Sequence, residues 1–139
     1  MTFTGVNYWA ILIAAVAGWL VGAGWYMALG KHWMAAHGFT AEGMAAARQR
    51  PGAFLPFVYA FIANLVMAWT LAGIVGHVGP LTVKNAVISG ALCWLGFVIT
   101  TVVVNYSFAM RPPRLIAIDG GHWLAVLIVM GAIIGAMGA

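Results

Sequence analysis

The side chains in this sequence that could do chemistry are few: four histidines, two carboxylates, one cysteine and a small set of amides and hydroxyls. Imidazoles and carboxylates together can ligate a metal ion. The candidates for this role are the histidines predicted to lie at one end of the molecule, near the carboxylates Glu42 and Asp119: His32, His37 and His122. Their spacing argues against it, because His32 and His37 are not three or four residues apart, as ligands on one helical face are. We therefore predict no metal and no other cofactor.

Amides and phenols form a second group of candidates. They fall in the same half of the predicted helices and could line a polar pocket between them: Asn64, Asn105, Tyr26 and Tyr106. Alternatively they form hydrogen bonds between helices, each worth about 0.5–2 kcal/mol. Both interpretations remain open, and Asn64 and Asn105 are the candidates for contact with a solute.

No arrangement typical of an enzyme is found. Cys93 lies between Leu92 and Trp94 in an apolar run, where a thiol behaves as an inert small hydrophobe. The sequence has no Ser-His-Asp pattern, phosphate-binding glycine loop or zinc-protease motif. We predict that the protein is not an enzyme and has no catalytic residues.

Composition decides the class of protein. Hydrophobic residues make up 65% of the 139 residues and charged residues only 6%, whereas a soluble domain has about 25% charged residues. So few charges cannot cover a soluble globule, and the hydrophobicity excludes a disordered chain. The sequence predicts an integral membrane protein with a single domain over residues 1–139 and the lipid bilayer as its first partner.

Four runs without Asp, Glu, Lys or Arg are long enough to cross about 30 Å of hydrocarbon as helices. They cover residues 7–29, 54–76, 85–110 and 120–139. We expect Asp119 to be the N-cap of the last helix, so that no carboxylate lies in the middle of the membrane. Residues 1–6 have no basic residue, and the first run is therefore interpreted as a retained helix and not a cleaved signal.

The basic residues predict an orientation. The first and third connections together hold five: Lys31, Arg48, Arg50, Arg111 and Arg114. The second connection holds Lys84 alone. The positive-inside rule then places these two connections in the cytoplasm and both termini outside it. Because the basic residues do not form a dense patch with interleaved aromatics, we predict no nucleic-acid partner.

The first connection also contains a short helix. Thr40 is its predicted N-cap, and Arg48 and Arg50 would hold it at the cytoplasmic membrane surface. The predicted fold is therefore an all-α membrane protein, with four transmembrane helices in a compact bundle and one short cytoplasmic interfacial helix.

Small residues at helical spacing predict close packing of the helices, because helices in a bilayer associate where their backbones can approach. The candidate packing residues are Gly18, Gly22, Ala68, Ala72, Gly76, Gly131 and Gly135. Faces of this kind favour a tight bundle, a homo-oligomer, or both.

Three segments resemble a bacterial membrane family, domain of unknown function 1761. They are Trp25 to Trp33, Ala63 to Ala68, and the stretch from Arg111 through Ile118-Asp119-Gly120-Gly121-His122 to Gly135. The resemblance implies a four-helix inner-membrane protein and brings no activity or site residues with it.

Two functions fit these observations. The first is a non-enzymatic subunit that self-associates or docks onto a larger membrane complex. The alternative is a small oligomeric channel or carrier for a neutral or amphipathic solute.

Overall fold

The computed structural model describes residues 7–138, and all the regular secondary structure within them is helical. The helices are α1 (Tyr8–His37), α2 (Ala41–Arg48), α3 (Leu55–Val78), α4 (Val83–Cys93), a π-helical segment (Trp94–Val98), α5 (Ile99–Phe108) and α6 (Pro113–Met137). Four spans in this part of the chain are long and apolar enough to cross a membrane: α1, α3, α4 to α5, and α6. The predicted all-α multi-pass membrane fold is confirmed.

The first helix is longer than its charge-free run. The predicted end at residue 29 is wrong, because α1 continues through Gly30 and Lys31 to His37. It ends where Gly38 adopts a left-handed φ of 74°, and the amides of Gly38 and Phe39 donate to the carbonyls of Ala35 and Met34. Glycine alone does not stop a helix, since a helix interior tolerates it at a cost of about 1 kcal/mol.

The last helix begins earlier than predicted, at Pro113 instead of residue 120. Pro112 is extended, and Pro113 occupies the first turn, where a missing N–H costs no hydrogen bond. The predicted N-cap role of Asp119 is therefore wrong. Asp119 instead lies within α6, about 9 Å along the axis from its start, in a helix long and apolar enough to cross a membrane.

The two middle spans agree more closely with prediction. The second span is α3, Leu55–Val78, against a predicted 54–76. The third covers 83–108, against a predicted 85–110, and the π-helical segment interrupts it. Here the Ile99 amide donates to the Trp94 carbonyl, five residues earlier, in the pattern of a π-bulge.

The short helix between the first two spans is α2. Its predicted N-cap is confirmed, since the Thr40 hydroxyl accepts a hydrogen bond from the Gly43 amide at 3.1 Å. None of its residues is buried, which is compatible with the surface position expected for it.

Helix α6 is the centre of the bundle and packs against α1, α3, α4 and α5. Its apolar core is shared mainly with α1 and α3, and the largest fully buried side chains are Leu71, Val75, Leu115, Val126, Met130 and Ile134. Two predictions, the interpretation of residues 1–6 and the last residue of the fourth run, concern positions outside the described residues.

Candidate functional site

The carboxylate of Asp119 is the focus of a hydrogen-bonded group of side chains. The Tyr26 hydroxyl donates to Oδ1 at 2.5 Å, and the Tyr106 hydroxyl donates to Oδ2 at 2.5 Å. The Trp33 indole N–H also points to Oδ2, at 3.4 Å. We call these four residues the Asp119 cluster. It joins α1, α5 and α6.

The environment of this carboxylate is unusual for an acidic group. Asp119 is only 7% exposed, and the three donors are two phenols and an indole, all neutral. O–H···O distances of this length are typical of bonds to an ionised carboxylate. The arrangement therefore stabilises a negative charge by hydrogen bonds alone.

Two stripes of residues build the cluster. On α1 the stripe is Gly18, Gly22, Tyr26 and Trp33, and on α6 it is Asp119, His122, Val126 and Met130. Gly18 contacts Met130, Gly22 contacts His122 and Tyr26 contacts Asp119. Residue numbers therefore increase along α1 as they decrease along α6, so the two helices are antiparallel. Spacings of three, four and seven residues keep each stripe on one helical face.

The glycines after Asp119 allow neighbouring side chains to reach the α6 backbone. A Cβ on Gly120 would lie 2.5 Å from Cδ1 of Ile99, and one on Gly121 would lie 3.0 Å from the Trp25 ring. In this space the Trp25 indole donates to the Ile118 carbonyl at 3.0 Å, and the Trp94 indole to the Gly120 carbonyl at 2.8 Å. Two tryptophans thus clamp α6 on either side of Asp119.

His122 lies one turn beyond the carboxylate on the same face. It is 7% exposed, its ring centroid is 5.1 Å from that of Tyr26, and its Nδ1 is buried without a hydrogen-bond partner. A Cβ on Gly22 would lie 3.0 Å from its Nε2. His122 is therefore a buried imidazole with unused hydrogen-bonding capacity beside the Asp119 cluster.

The family comparison agrees with the resemblance seen in the sequence. A family model described as "Protein of unknown function (DUF1761)" matches residues 9–135. The chain belongs to the DUF1761 family. Comparison with curated proteins and with solved structures gives no significant match.

The structure brings together two of the four predicted pocket residues of this DUF1761 chain. Tyr26 and Tyr106 meet at Asp119. Asn105 is exposed. Asn64 is 3% exposed but lies deeper, where its Oδ1 is 2.5 Å from the position of a Cβ on Gly18.

Asn64 has a structural explanation. Its side-chain amide donates to the Ala60 carbonyl at 2.7 Å, one turn earlier on α3. Its Oδ1 faces the Gly18 hydrogen that a Cβ would replace, in the manner of a weak Cα–H···O contact between helices. We therefore interpret Asn64 as a packing residue of the DUF1761 bundle.

The predicted packing residues occupy several kinds of position. Gly131 and Gly135 lie against the α4 backbone, and Ala68 and Ala72 lie in the core. Gly18 and Gly22 face α3 and α6 side chains. Gly76 is exposed and has nothing within 4 Å of its Cβ position.

The candidate metal ligands are not brought together as a set. His32 is exposed, and His37 packs between Trp33 and Phe39, with ring centroids at 4.3 and 4.9 Å. Across residues 7–138, no three His, Cys, Asp or Glu side chains are arranged to hold a metal ion. The absence of a metal stays a prediction.

Sequence reasoning missed the two residues that complete the cluster. Asp119 was predicted to be a helix cap, and Trp33 was not among the candidate site residues. A signal for both exists: Tyr26 and Trp33 are seven residues apart, and Asp119 and His122 three apart, so each pair shares a helical face.

Proposed function

We propose that the protein is a small membrane carrier for an amphipathic cation, and that the Asp119 cluster is its binding site. The observation that carries this proposal is a carboxylate in the interior of the bundle whose hydrogen-bond donors are all neutral. Ionisable groups within membrane helices commonly mark the paths of substrates and ions.

The charge of the cluster favours a cationic solute. A buried carboxylate is costly unless a positive charge accompanies it, and hydrogen bonds from phenols and an indole offset only part of that cost. A bound cation would supply the missing charge.

The aromatic side chains around Asp119 favour an organic cation. Tyr26, Trp33 and Tyr106 contact the carboxylate, and the rings of Trp25 and His122 flank them. Cations bind over aromatic faces, most strongly where water is excluded. A quaternary ammonium group with an attached apolar part matches both features. In this proposal the protein binds a solute and does not catalyse a reaction.

Binding of phenyltrimethylammonium to the detergent-solubilised protein tests the proposal directly. Tert-butylbenzene has the same shape without the charge and is the control ligand. We expect D119N to bind the cation at least about tenfold more weakly, a loss of about 1.4 kcal/mol. The matched variant is E42Q, since Glu42 is exposed on α2 and should bind like the wild type. Equal affinities of D119N and the wild type, or of the cation and its neutral analogue, contradict the proposal.

Transport is tested separately with the same cation in proteoliposomes. We expect wild-type protein to accelerate its uptake and D119N to leave uptake at the level of empty vesicles. Binding without accelerated uptake would show that the protein binds the cation but does not transport it.

The proposed orientation follows from the connections. The Asp119 cluster lies at the end of the bundle that bears the connections from α1 to α3 and from α5 to α6, which hold Arg48, Arg50 and Arg111. Basic connections favour the cytoplasmic side. Reporter fusions at Glu42 and after Ala139 should then give signals in opposite compartments, and signals in the same compartment contradict this orientation.

Self-association is a second candidate property, favoured by the outer face of α1. Gly24 and Ala28 are exposed and four residues apart, and nothing lies within 4 Å of the Gly24 Cβ position. Such a pair lets two membrane helices approach closely. Cross-linking in membranes should yield a dimer that G24L abolishes and G76L retains, since Gly76 is equally open but lies on α3. A dimer unaffected by G24L excludes this face.

A further inference from the structure

His122 is a buried imidazole with a ring nitrogen that has no hydrogen-bond partner. The residue is 7% exposed, and the unpaired atom is Nδ1. Two other residues between positions 7 and 138 have buried side-chain atoms without a partner, Asn64 and His37. The Asn64 side chain is bonded through its nitrogen to the Ala60 carbonyl, and His37 is only partly buried, at the end of α1. His122 therefore has the unpaired polar atom that the bundle itself explains least.

This imidazole lies next to the proposed cation site. His122 is three residues after Asp119 on the same face of α6, about 4.5 Å further along the helix axis. Its ring centroid is 5.1 Å from that of Tyr26, whose hydroxyl donates to the carboxylate. A short chain attached to a cationic group at Asp119 would therefore reach the imidazole.

The two ring nitrogens of His122 have different surroundings. A Cβ at Gly22 would lie 3.0 Å from Nε2, so this nitrogen lies close to the α1 backbone. Nδ1 is then the nitrogen left for a ligand. The ring packs on Tyr26 and Trp123, with centroids at 5.1 and 4.6 Å. Aromatic contacts of this kind are weakly directional compared with hydrogen bonds, so the ring can turn toward a ligand.

A hydroxyl group is the partner that fits Nδ1 in either tautomer of the imidazole. A neutral imidazole carries its proton on one nitrogen or the other, so Nδ1 is a donor or an acceptor. A hydroxyl group both donates and accepts, whereas a carbonyl group only accepts and an ammonium group only donates. A second ammonium group would also bring a second positive charge to a cluster with one carboxylate, that of Asp119.

We propose that the solute carries a hydroxyl group on a short chain beside its quaternary ammonium group, and that His122 binds this hydroxyl. This assignment rests on the proposed function and makes His122 the residue that selects among quaternary ammonium compounds. A buried polar atom without a partner costs free energy. The free protein bears this cost at Nδ1. A solute hydroxyl removes it, and an alkyl group of the same size does not.

Two analogues of phenyltrimethylammonium test the assignment by their affinities for the detergent-solubilised protein. One methyl group is replaced by hydroxyethyl in the first analogue and by propyl in the second, so a hydroxyl stands against a methyl group of similar size. We expect the wild type to bind the hydroxyethyl compound more tightly. In H122F the affinity ratio should fall at least about tenfold, to a preference for propyl, because the hydroxyl then loses its hydration without gaining a partner. H32F is the matched control, since His32 is exposed, and should keep the wild-type ratio.

The same contact can be measured in the wild type by NMR with isotope-labelled histidine. The Nδ1 resonance of His122 should shift more on binding of the hydroxyethyl compound than on binding of the propyl compound, because Nδ1 gains a hydrogen bond only from the first. This measurement decides the question if H122F does not fold.

The outcomes separate this assignment from the proposed function. A wild-type preference for propyl, an unchanged affinity ratio in H122F, or an equal response of Nδ1 to the two compounds overturns the role of His122 and leaves the cation site in place. Binding of phenyltrimethylammonium but of neither analogue does the same. Failure of the wild type to bind any of the three cations overturns the proposed function as well.

Discussion

The two halves of α6 use glycine in different ways. In the half that carries Asp119, Gly120 and Gly121 lie against side chains, those of Ile99 and Trp25. In the other half, Gly131 and Gly135 lie against backbone: Cβ atoms there would come within 2.6 Å of the Ala86 carbonyl oxygen and of the Thr82 backbone. Side chains can adopt other rotamers, whereas a helix backbone can move only as a whole.

The two halves of α6 therefore contribute differently to the rigidity of the bundle. The half packed on α4 holds the bundle together at fixed distances. The half around Asp119 is held by hydrogen bonds that side chains of the neighbouring helices donate, and it can rearrange without separating helices. The proposed binding of a cation at Asp119 would use the second kind of packing.

The largest change in the free energy of unfolding is expected at the contact between α6 and α4. G131A places a methyl group against the Ala86 carbonyl, so α4 and α6 must separate, and we expect a loss of about 3 kcal/mol in the free energy of unfolding. Titration with SDS in mixed micelles measures it. G76A is the control, because its Cβ position is open. Since alanine is favoured over glycine in a helix by about 1 kcal/mol, it should unfold at or above the wild-type midpoint. Similar midpoints for G131A and G76A would show that the contact between α4 and α6 is not rigid.

The next effect concerns the polar half. Y26F removes one donor from the buried carboxylate, and a hydrogen bond to a charged group contributes about 2 kcal/mol. Y106F should lose a similar amount in the same unfolding assay. The control is Y59F, since Tyr59 is 62% exposed on α3. If Y26F and Y106F unfold like Y59F, the phenols do not stabilise the carboxylate.

Parts of this architecture could be predicted from the sequence because the bilayer imposes them. A span needs about 20 apolar residues, and that rule alone located four spans. Local chemistry was enough for α2, since a threonine hydroxyl caps an amide three residues away irrespective of the rest of the fold.

The start of α6 could not be found by that criterion. A search for charge-free runs rejects the turns that contain Arg114 and Asp119, and so it excludes in advance any carboxylate within a helix. The Asp119 cluster also depends on the relative rotation of α1, α5 and α6, which no local pattern encodes. Tyr26 and Tyr106 could be named as polar residues of one half of the bundle, but their common partner could not.

A smaller effect distinguishes the two tryptophan clamps from other tryptophans. W25F and W94F each remove an indole N–H that donates to an α6 carbonyl beside Asp119. We expect each to lower the free energy of unfolding by about 1 kcal/mol. W9F is the control, because Trp9 is 71% exposed. If W25F and W94F lose no more stability than W9F, the indole hydrogen bonds to the Ile118 and Gly120 carbonyls do not stabilise the protein.

The smallest effect tests whether the polar half can rearrange. The Cβ of G22A would meet only the His122 ring, at 3.0 Å from Nε2, and a ring can turn by a small amount. We expect a change in stability within about 0.5 kcal/mol, together with a shift of the His122 ring resonances in the NMR spectrum. G24A provides the baseline, since its Cβ position is open and faces away from His122. A loss in G22A as large as that in G131A would show that the seam beside Asp119 is as rigid as the contact with α4, and the two halves of α6 would then not differ in the way proposed.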